Sequence, residues 1–375
     1  MRNPFIGPIM KTCNRLILLA GAALAGVSLT VANAATNITI ATHAFAQTNA
    51  STPPLIDIAH APAPLFNDPI YHGTSDCFII WNPAKHLWFM YYTQRRSSIA
   101  NPRGNEWIYG SAIGIATSKD GLDWKYQGVC QGDLDLSNPI QAKDGRGPTP
   151  GVTWWAPAYI YEGKTLHMFV AHLDGVYFNW DGKRNILHFT SEDGVNFKYI
   201  NTCDLKSDHV IDPTVYKIGD TFYMVYKEEA DHSSTYVAES KDMITWINRR
   251  RATPDGMHEA PFVFRWKDRY WLIVDALNNN GLRIYQSPNG IDHWTVNNTV
   301  LSGAKPGRRN KDNSGAYHPD IVVQTLPDGT EQCLVFYFTH YQGKLTAIQV
   351  AELELGTDGK VTCDRNKYAA TTPKN

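Results

Sequence analysis

Three carboxylic acids stand directly before apolar, aromatic stretches of the sequence. Asp76 precedes CFIIW, Asp212 precedes PTVY, and Glu259 precedes APFVF and follows a histidine, His258. Carboxyl groups that meet at one site can divide the work of acid–base hydrolysis, because one activates a water molecule while another donates a proton. Close like charges also raise the pKa of at least one partner and so keep it protonated near neutral pH. This chemistry requires a fold that gathers residues far apart in the chain.

An internal repeat predicts such a fold. Five stretches share a pattern of two short strands with alternating apolar and polar residues, joined by a tight turn. Long stretches with the 3.6-residue period of a helix do not accompany them. The five stretches are CFIIWNPAKHLWFMYYT (77–93), APAYIYEGKTLHMFVAH (156–172), PTVYKIGDTFYMVYK (213–227), APFVFRWKDRYWLIVDA (260–276) and DIVVQTLPDGTEQCLVFYFTH (320–340).

A second motif, a polar turn that ends in an aromatic residue, follows the strand pairs. Its Asp-Gly and Asn-Gly steps are typical of hairpin turns. Repeats of about 40–60 residues with three or four strands each are typical of β-propellers. A β-sandwich with coincident turns is the alternative, which five similar stretches disfavour. The copies of the turn are SKDGLDW (118–124), SEDGVNF (191–197), SKDMITW (240–246) and SPNGIDHW (287–294).

The sequence therefore predicts an all-β fold, a five-bladed β-propeller over residues 67–360. In a propeller the innermost strand of every blade lines a central channel, so residues at the starts of these strands converge at one mouth. Three of the five predicted starts are acidic, and a fourth contains His-Pro-Asp. The starts are Asp76, Ala156, Asp212, Glu259 and the corner from His318 to Asp320.

The ends of the chain have a different composition. Residues 1–34 contain basic residues, the apolar run LILLAGAALAGVSLTV and Ala-Asn-Ala at 32–34, which together predict a cleavable signal peptide and a periplasmic or secreted protein. An uncleaved anchor is the alternative. Residues 35–66 are predicted to be an N-terminal linker and edge segment, and 361–375 a C-terminal tail. No later apolar run is long enough for a membrane span.

Charge and cysteine content exclude some classes of protein. The net charge of −1 argues against nucleic acid as a partner. Five cysteines follow the predicted signal peptide without any Cys-x-x-Cys spacing, which disfavours a metal ribbon. Five cysteines can form at most two disulfides, and the sequence does not assign their pairing. Neither feature indicates a required cofactor.

With these motifs the chain resembles the five-bladed glycoside hydrolases of family 43 and, more closely, those of family 117. An Asp in the first blade, Asp-Pro in the third and Glu-x-Pro in the fourth follow the family 43 pattern. Longer strings resemble family 117, and the resemblance covers roughly residues 66–355. The strings are FMYYTQRR (89–96), YGSAIGIATSKDG (109–121), Trp-Ala-Pro (155–157), His-Glu-Ala-Pro (258–261) and SGAYHPDIVV to FYFTH (314–340).

The resemblance implies an inverting, exo-acting glycosidase that uses an oligosaccharide substrate. It implies Asp76 as the general base and Asp212 as an orienting acid. For the proton donor it leaves two options: His258 supported by Glu259, or Glu259 itself. The implied substrate is α-1,3-linked 3,6-anhydro-L-galactose in agar-derived neoagaro-oligosaccharides. The alternatives are a family 43-type arabinofuranosidase or xylosidase, and a sugar-binding propeller without catalysis.

Further residues are candidates for substrate binding. Gln94 and Arg95 follow the second strand of the first blade, where they can bind sugar hydroxyl groups or anionic substituents. Trp155 can stack against a pyranose ring. His318 is a candidate for substrate binding and, by the resemblance, for the neighbourhood of a structural divalent cation in the channel. Family 117 proteins dimerise through an N-terminal helical segment, which the prolines of residues 35–66 disfavour, so the oligomeric state stays open.

Overall fold

Antiparallel sheets account for most of the described chain. The computed structural model describes residues 52–137, 151–278 and 280–369. The predicted signal peptide, residues 1–34, lies outside these ranges. Within them, a single turn of 3₁₀ helix (Ile58–His60) precedes the strands, and no helix is long and apolar enough to cross a membrane.

The strands form five sheets, each in sequential order. The first sheet is β1 (Thr74–Asn82), β2 (Leu87–Gln94), β3 (Ala112–Ser118) and β4 (Lys125–Val129). The second is β6 (Val152–Glu162), β7 (Thr165–Asp174), β8 (Asn185–Ser191) and β9 (Asn196–Thr202), with β5 (Gln131–Gly132) added in parallel at β9. The third is β10 (Val210–Ile218), β11 (Thr221–Glu228), β12 (Ser234–Ser240) and β13 (Ile247–Arg251). The fourth is β14 (His258–Trp266), β15 (Arg269–Ala276), β16 (Leu282–Ser287) and β17 (Thr295–Val300). The fifth is β18 (Tyr317–Thr325), β19 (Glu331–Tyr341), β20 (Leu345–Leu355) and β21 (Val361–Thr362).

The first strands of the five sheets make a closed ring. β1 contacts β6, β6 contacts β10, β10 contacts β14, β14 contacts β18, and β18 contacts β1. Apolar side chains from neighbouring sheets pack between the blades in several clusters. The fold is thus a five-bladed β-propeller, which confirms the prediction from the repeats.

The polar turns connect the third and fourth strands of four blades. In the first of them the Ser118 hydroxyl accepts the Gly121 N–H, and the Asp120 carboxylate accepts two further backbone N–H groups. The Ser and Asp or Asn of the other three turns make the same bonds. The closing aromatic residues are buried: Trp124, Phe197, Trp246 and Trp294. The side chain closes the turn while the ring anchors it, which explains why this motif recurs with the blades.

The terminal segments pack against the fifth blade. Phe66 bridges to Ile348 of β20, and Gly73 bridges to Thr346 of the same strand. The end of the predicted linker, at Phe66, therefore pairs with the last blade. The tail boundary at 361 is wrong, because β21 pairs with β20 and Arg365 forms a buried ion pair with Asp312. A two-residue strand gives too little periodic pattern to be recognised in the sequence.

Candidate active site

Each innermost strand carries a β-bulge at the same place. The register of its pairing shifts there, and one residue adopts a positive φ of 46° to 54°. Such a conformation is unfavourable for residues other than glycine and is concentrated at functional sites. In four blades a proline follows it. The five residues are Asp76, Ala156, Asp212, Ala260 and His318.

This equivalence corrects one of the predicted strand starts. In the fourth blade Ala260, and not Glu259, has the positive φ, so Glu259 lies one position earlier. The same earlier position holds Trp155 in the second blade. Glu259 therefore reaches the channel from a different point of its strand than Asp76 or Asp212 does.

Asp76 lies among cationic and hydrogen-bonding partners. It is only 4% exposed, and its carboxylate lies 3.0 Å from Nη2 of Arg95 and 3.5 Å from Nδ1 of His318. The Ser75 hydroxyl donates to it at 3.2 Å. Burial alone would raise the pKa of Asp76, but Arg95, His318 and the hydrogen bonds from Thr93 and Ser75 together lower it. Asp76 is therefore ionised at neutral pH, as a general base must be.

Asp212 lies in the opposite electrostatic environment. It is 6% exposed, and one carboxylate oxygen accepts the Ala260 N–H at 3.0 Å. Burial, together with the negative charges of Glu259 and Asp76, raises its pKa to about 6 although His318 and Lys227 oppose the shift. The same interactions show that ring closure brings Asp76, Asp212 and Glu259 into one electrostatic cluster.

Glu259 is the most accessible of the three carboxylates. Its side chain is 36% exposed, and its Oε1 lies 2.6 Å from Nζ of Lys227. Lys227, in β11, is buried and lies 3.5 Å from Glu229, which in turn lies 2.8 Å from Nε of Arg184. Burial would lower the pKa of Lys227, but Glu259, Asp212 and Glu229 raise it, so this lysine is charged.

The sequence analysis missed Lys227 and Asp275, which occupy equivalent positions on the second strands of their blades. In the pairing register Lys227 lies opposite Ile211, and Asp275 lies opposite Glu259. Burial and Glu259 raise the pKa of Asp275 well above its usual value, although it accepts the His318 N–H. In the sequence, both could have been noticed as charged residues at or next to the end of the apolar second strand of a repeated strand pair.

His258 is placed between blades and away from this cluster. Its Nε2 lies 3.0 Å from the Tyr285 hydroxyl and 3.6 Å from Asp255, and its Nδ1 lies 3.2 Å from Thr235. Burial lowers its pKa to about 4 even though Asp255 favours the charged form. The imidazole is therefore neutral near pH 7. A neighbouring carboxylate was expected to favour the protonated imidazole, but burial outweighs the charge of Asp255, which disfavours His258 as the proton donor.

Two of the candidate binding residues have structural contacts instead. Gln94 is buried, and its amide donates to Asp68 at 2.8 Å and to the Tyr126 hydroxyl at 3.2 Å. Trp155 is also buried, and its indole N–H donates to the Ile108 carbonyl at 3.0 Å. Both side chains are almost fully buried, so sugar binding by Gln94 and Trp155 stays a prediction.

Arg95 and His318, by contrast, lie at the cluster through their contacts with Asp76. Among the described residues, no group of three or more His, Cys, Asp or Glu side chains has the arrangement of a metal site. Around His318 the described residues therefore do not show the ligand set of a cation site. The structural cation stays a prediction from the resemblance.

The arrangement supports acid–base chemistry on one bound molecule. Asp76 is ionised and can accept a proton, whereas Asp212 binds its proton up to a pH of about 6. Glu259 projects from another blade with an accessible carboxyl group. Carboxyl groups that differ in protonation around one pocket are the requirement for hydrolysis of a glycosidic bond.

Comparison with known proteins agrees with this chemistry. The sequence matches, over residues 65–307, a family related to glycosyl hydrolase family 43 and described as a probable glycosyl hydrolase domain. No curated protein matches the chain significantly. The match does not separate family 117 from the rest of this group.

Solved structures share the fold at low sequence identity. A GH43_1 enzyme from Xanthomonas citri, complexed with xylotriose, has a TM-score of 0.60 and 15% identity, over 84% of this chain and 97% of the other. A thermostable family-43 glycoside hydrolase has a TM-score of 0.58 and 18% identity, over 80% and 96%. A GH43 β-1,3-galactosidase, with galactodeoxynojirimycin, has a TM-score of 0.56 and 14% identity, over 78% and 93%.

These structures establish the likeness of fold, and the sequence match establishes the family. The match spans more than half of the chain and includes the segments that carry Asp76, Asp212 and Glu259. The protein therefore belongs to the glycosyl hydrolase family related to family 43, and it is a glycoside hydrolase.

Proposed function

We propose that the protein is an exo-acting, inverting glycosidase that removes one terminal sugar from an oligosaccharide. The observation that carries this proposal is the pair of buried aspartates at equivalent bulges, of which Asp76 is ionised and Asp212 has a pKa of about 6. Inversion needs an ionised base that activates water and a separate acid across the pocket, roughly 6.5–9.5 Å apart.

Each carboxylate has one role in this reaction. Asp76 takes a proton from water as the water oxygen forms a bond with the anomeric carbon. Glu259 gives its proton to the glycosidic oxygen as the bond between that oxygen and the anomeric carbon breaks. Asp212 interacts electrostatically with both and orients the sugar. Glu259 is assigned as the donor because the resemblance to family 43 implies it and because its side chain, 36% exposed, is the most accessible of the three.

The sugar itself is proposed on the sequence motifs. The strings shared with family 117 favour α-1,3-linked 3,6-anhydro-L-galactose at the end of neoagaro-oligosaccharides. The second candidate is a terminal pentose or galactose, because the structural neighbours include an enzyme complexed with xylotriose and a β-1,3-galactosidase. The signal peptide predicted from the sequence supports action in the periplasm or outside the cell.

A substrate panel tests this function. Purified protein is incubated with neoagaro-, xylo-, arabino- and β-1,3-galacto-oligosaccharides, and NMR follows the anomer first released. One panel member should lose a single terminal sugar with inverted configuration. Cleavage within the chain, or a product of retained configuration, would contradict the proposal.

Variants then test the site. Asp76→Asn and Glu259→Gln should each lower kcat by about 10²–10⁴-fold, the usual contribution of a general acid or base. Asp268→Asn is the matched control, since Asp268 has a side chain that is 91% exposed and pairs only with Arg265. A wild-type protein that binds the panel but hydrolyses nothing would favour a sugar-binding propeller without catalysis.

A further inference from the structure

The loop between β7 and β8 carries two exposed aromatic side chains. Trp180 is 61% exposed and Phe178 is 46% exposed. Among the described residues, they are the only tryptophan and phenylalanine side chains that are exposed. Exposed aromatic faces cost free energy in water, and they commonly mark surfaces that bind a ligand.

This loop lies beside the mouth of the channel. The ring of Trp180 lies 6.4 Å from that of Trp155, which precedes the bulge of β6 as Glu259 precedes the bulge of β14. Next to Trp180, the Asn179 carbonyl accepts a hydrogen bond from the Tyr109 hydroxyl at 2.7 Å. The indole of Trp180 is therefore presented at the second blade's side of the channel mouth.

A chain of charges connects the loop to Glu259. Nη2 and Nη1 of the buried Arg184 donate to the carbonyls of Trp180 and Gly182, each at 2.6 Å. Arg184 pairs with Glu229, and Lys227 lies between Glu229 and Glu259. The backbone beneath Trp180 is thus fixed by the same ion-pair network that holds the proton donor.

We propose that Trp180 is the stacking platform of a second sugar subsite, which binds the ring on the leaving-group side of the cleaved bond. This proposal rests on the proposed exo action. Asp76 and Asp212 are almost fully buried, so the terminal sugar must enter the depth of the channel to reach them. The next ring then lies at the rim, where the apolar face of a pyranose can cover the exposed indole.

Phe178 provides a matched control on the same loop. The guanidinium of Arg103 lies over its ring, with Cζ 3.7 Å from the ring centroid. One face of Phe178 is therefore already covered by a cation, whereas no such cation lies over Trp180 among the described residues. Of these two exposed aromatic residues, Trp180 is therefore the one whose ring can stack against a sugar.

Binding to the Asp76→Asn protein tests the proposal without turnover. Calorimetry measures the dissociation constants of neoagarotetraose, xylotriose and β-1,3-galactotriose, together with the corresponding terminal monosaccharides. Adding Trp180→Ala should weaken binding of the favoured oligosaccharide about tenfold, a change of about 1.4 kcal/mol. Binding of the monosaccharide should stay the same. Trp180→Tyr should restore most of the affinity, and Phe178→Ala should leave it unchanged.

The outcomes separate this proposal from the proposed function. If Trp180→Ala binds the oligosaccharide as tightly as its parent, the subsite is wrong even where the wild-type protein hydrolyses that sugar. If binding depends on Trp180 but the wild type hydrolyses nothing, the subsite stands and the catalytic proposal fails. If the parent binds no member of the panel, both proposals are overturned.

Discussion

Asp76 and Asp212 occupy equivalent bulges in the first and third blades, yet their protonation differs. Both are almost fully buried, and their φ angles are 50° and 54°. Arg95 and His318 lower the pKa of Asp76, whereas burial and two neighbouring carboxylates raise that of Asp212 to about 6. The fold fixes where a carboxylate lies, and the neighbouring charges decide whether it accepts or holds a proton.

Among the charged neighbours of the two aspartates, Arg95 should have the largest effect on activity when it is removed. Its loss makes the surroundings of Asp76 more like those of Asp212. In Arg95→Met one of the two cations that oppose the effect of burial is removed, so the pKa of Asp76 should rise. Asp76 must be ionised to activate water, so the acidic limb of the kcat/KM profile moves to higher pH. At pH 4 the loss of kcat/KM should be about tenfold or more, and it should be smaller at pH 7.

Arg265→Met is the control for this variant, because Arg265 pairs with the exposed Asp268. Its pH profile should match that of the wild type. Arg95→Lys should recover part of the acidic activity. An acidic limb that stays in place in Arg95→Met would show that Arg95 does not set the charge of Asp76.

Removing Lys227 should increase the difference in pKa between Asp76 and Asp212. Lys227 lowers the pKa of Asp212, so in Lys227→Met that pKa should rise above about 6. Carbon-13 NMR of labelled aspartate would show the later titration, and kcat should fall by about tenfold, as for a group that positions an acid. Lys217→Met, in the same blade as Lys227, is the control, since Lys217 forms a more exposed pair with Glu162 of the second blade. An unchanged titration of Asp212 would show that Lys227 does not lower its pKa.

Neutral substitutions at the two aspartates should change stability in opposite directions. The folded state binds the Asp212 proton more tightly than the unfolded chain does, so ionisation of Asp212 lowers stability as pH rises from 3.8 to about 6. Asp212→Asn should therefore raise the free energy of unfolding at pH 7.5 by about 1–3 kcal/mol, at 1.36 kcal/mol per pKa unit. Asp76→Asn should lower it, because the lowered pKa of Asp76 contributes stability above its unfolded value.

Thermal unfolding at pH 7.5 and pH 4 checks both signs. The gain in Asp212→Asn should be much smaller at pH 4, where the wild-type Asp212 is protonated. Destabilisation by Asp212→Asn at pH 7.5 would mean that the charge of Asp212 is compensated in the folded protein.

His258→Gln should have the smallest effect on catalysis. The buried imidazole is neutral and contacts Tyr285 and Thr235, so its loss should change kcat/KM by less than about threefold and leave the pH profile in place, since it makes no general-acid contribution. Because its pKa falls from 6.5 to about 4 on folding, His258 lowers wild-type stability as pH falls through that range. The variant should lose less stability on acidification. If the kcat/KM profile of the variant instead lost its basic limb, His258 would be identified as the proton donor.

The repeats made the fold predictable from the sequence. Hairpin turns and alternating strands are local signals, and five copies of them exclude most other architectures. They also predicted that Asp76 and Asp212 lie close to the start of the innermost strands, which begin two residues earlier, at Thr74 and Val210. The placement of Glu259 was one residue off, since a bulge adds a residue that the alternation of apolar positions does not reveal.

The contacts between blades were not predictable in the same way. His258 and Gln94 stand beside the site candidates Glu259 and Arg95 in the sequence, yet successive residues of a strand point to opposite faces. Lys227, Arg184 and Trp180 belong to different blades from Glu259, and only ring closure connects them. A pattern along the chain predicts which residues share a strand, but the partners of a side chain across the ring depend on the complete fold.

The bridges from Phe66 and Gly73 to β20 join the amino-terminal segment to the last blade. The first and last blades are therefore joined where the two ends of the described chain meet. During synthesis, the ring of blades can close only after the last blade has been translated. Hydrolytic competence should consequently arise in one late step, and a nascent polypeptide that stops before residue 345 would have its carboxylates but no assembled catalyst.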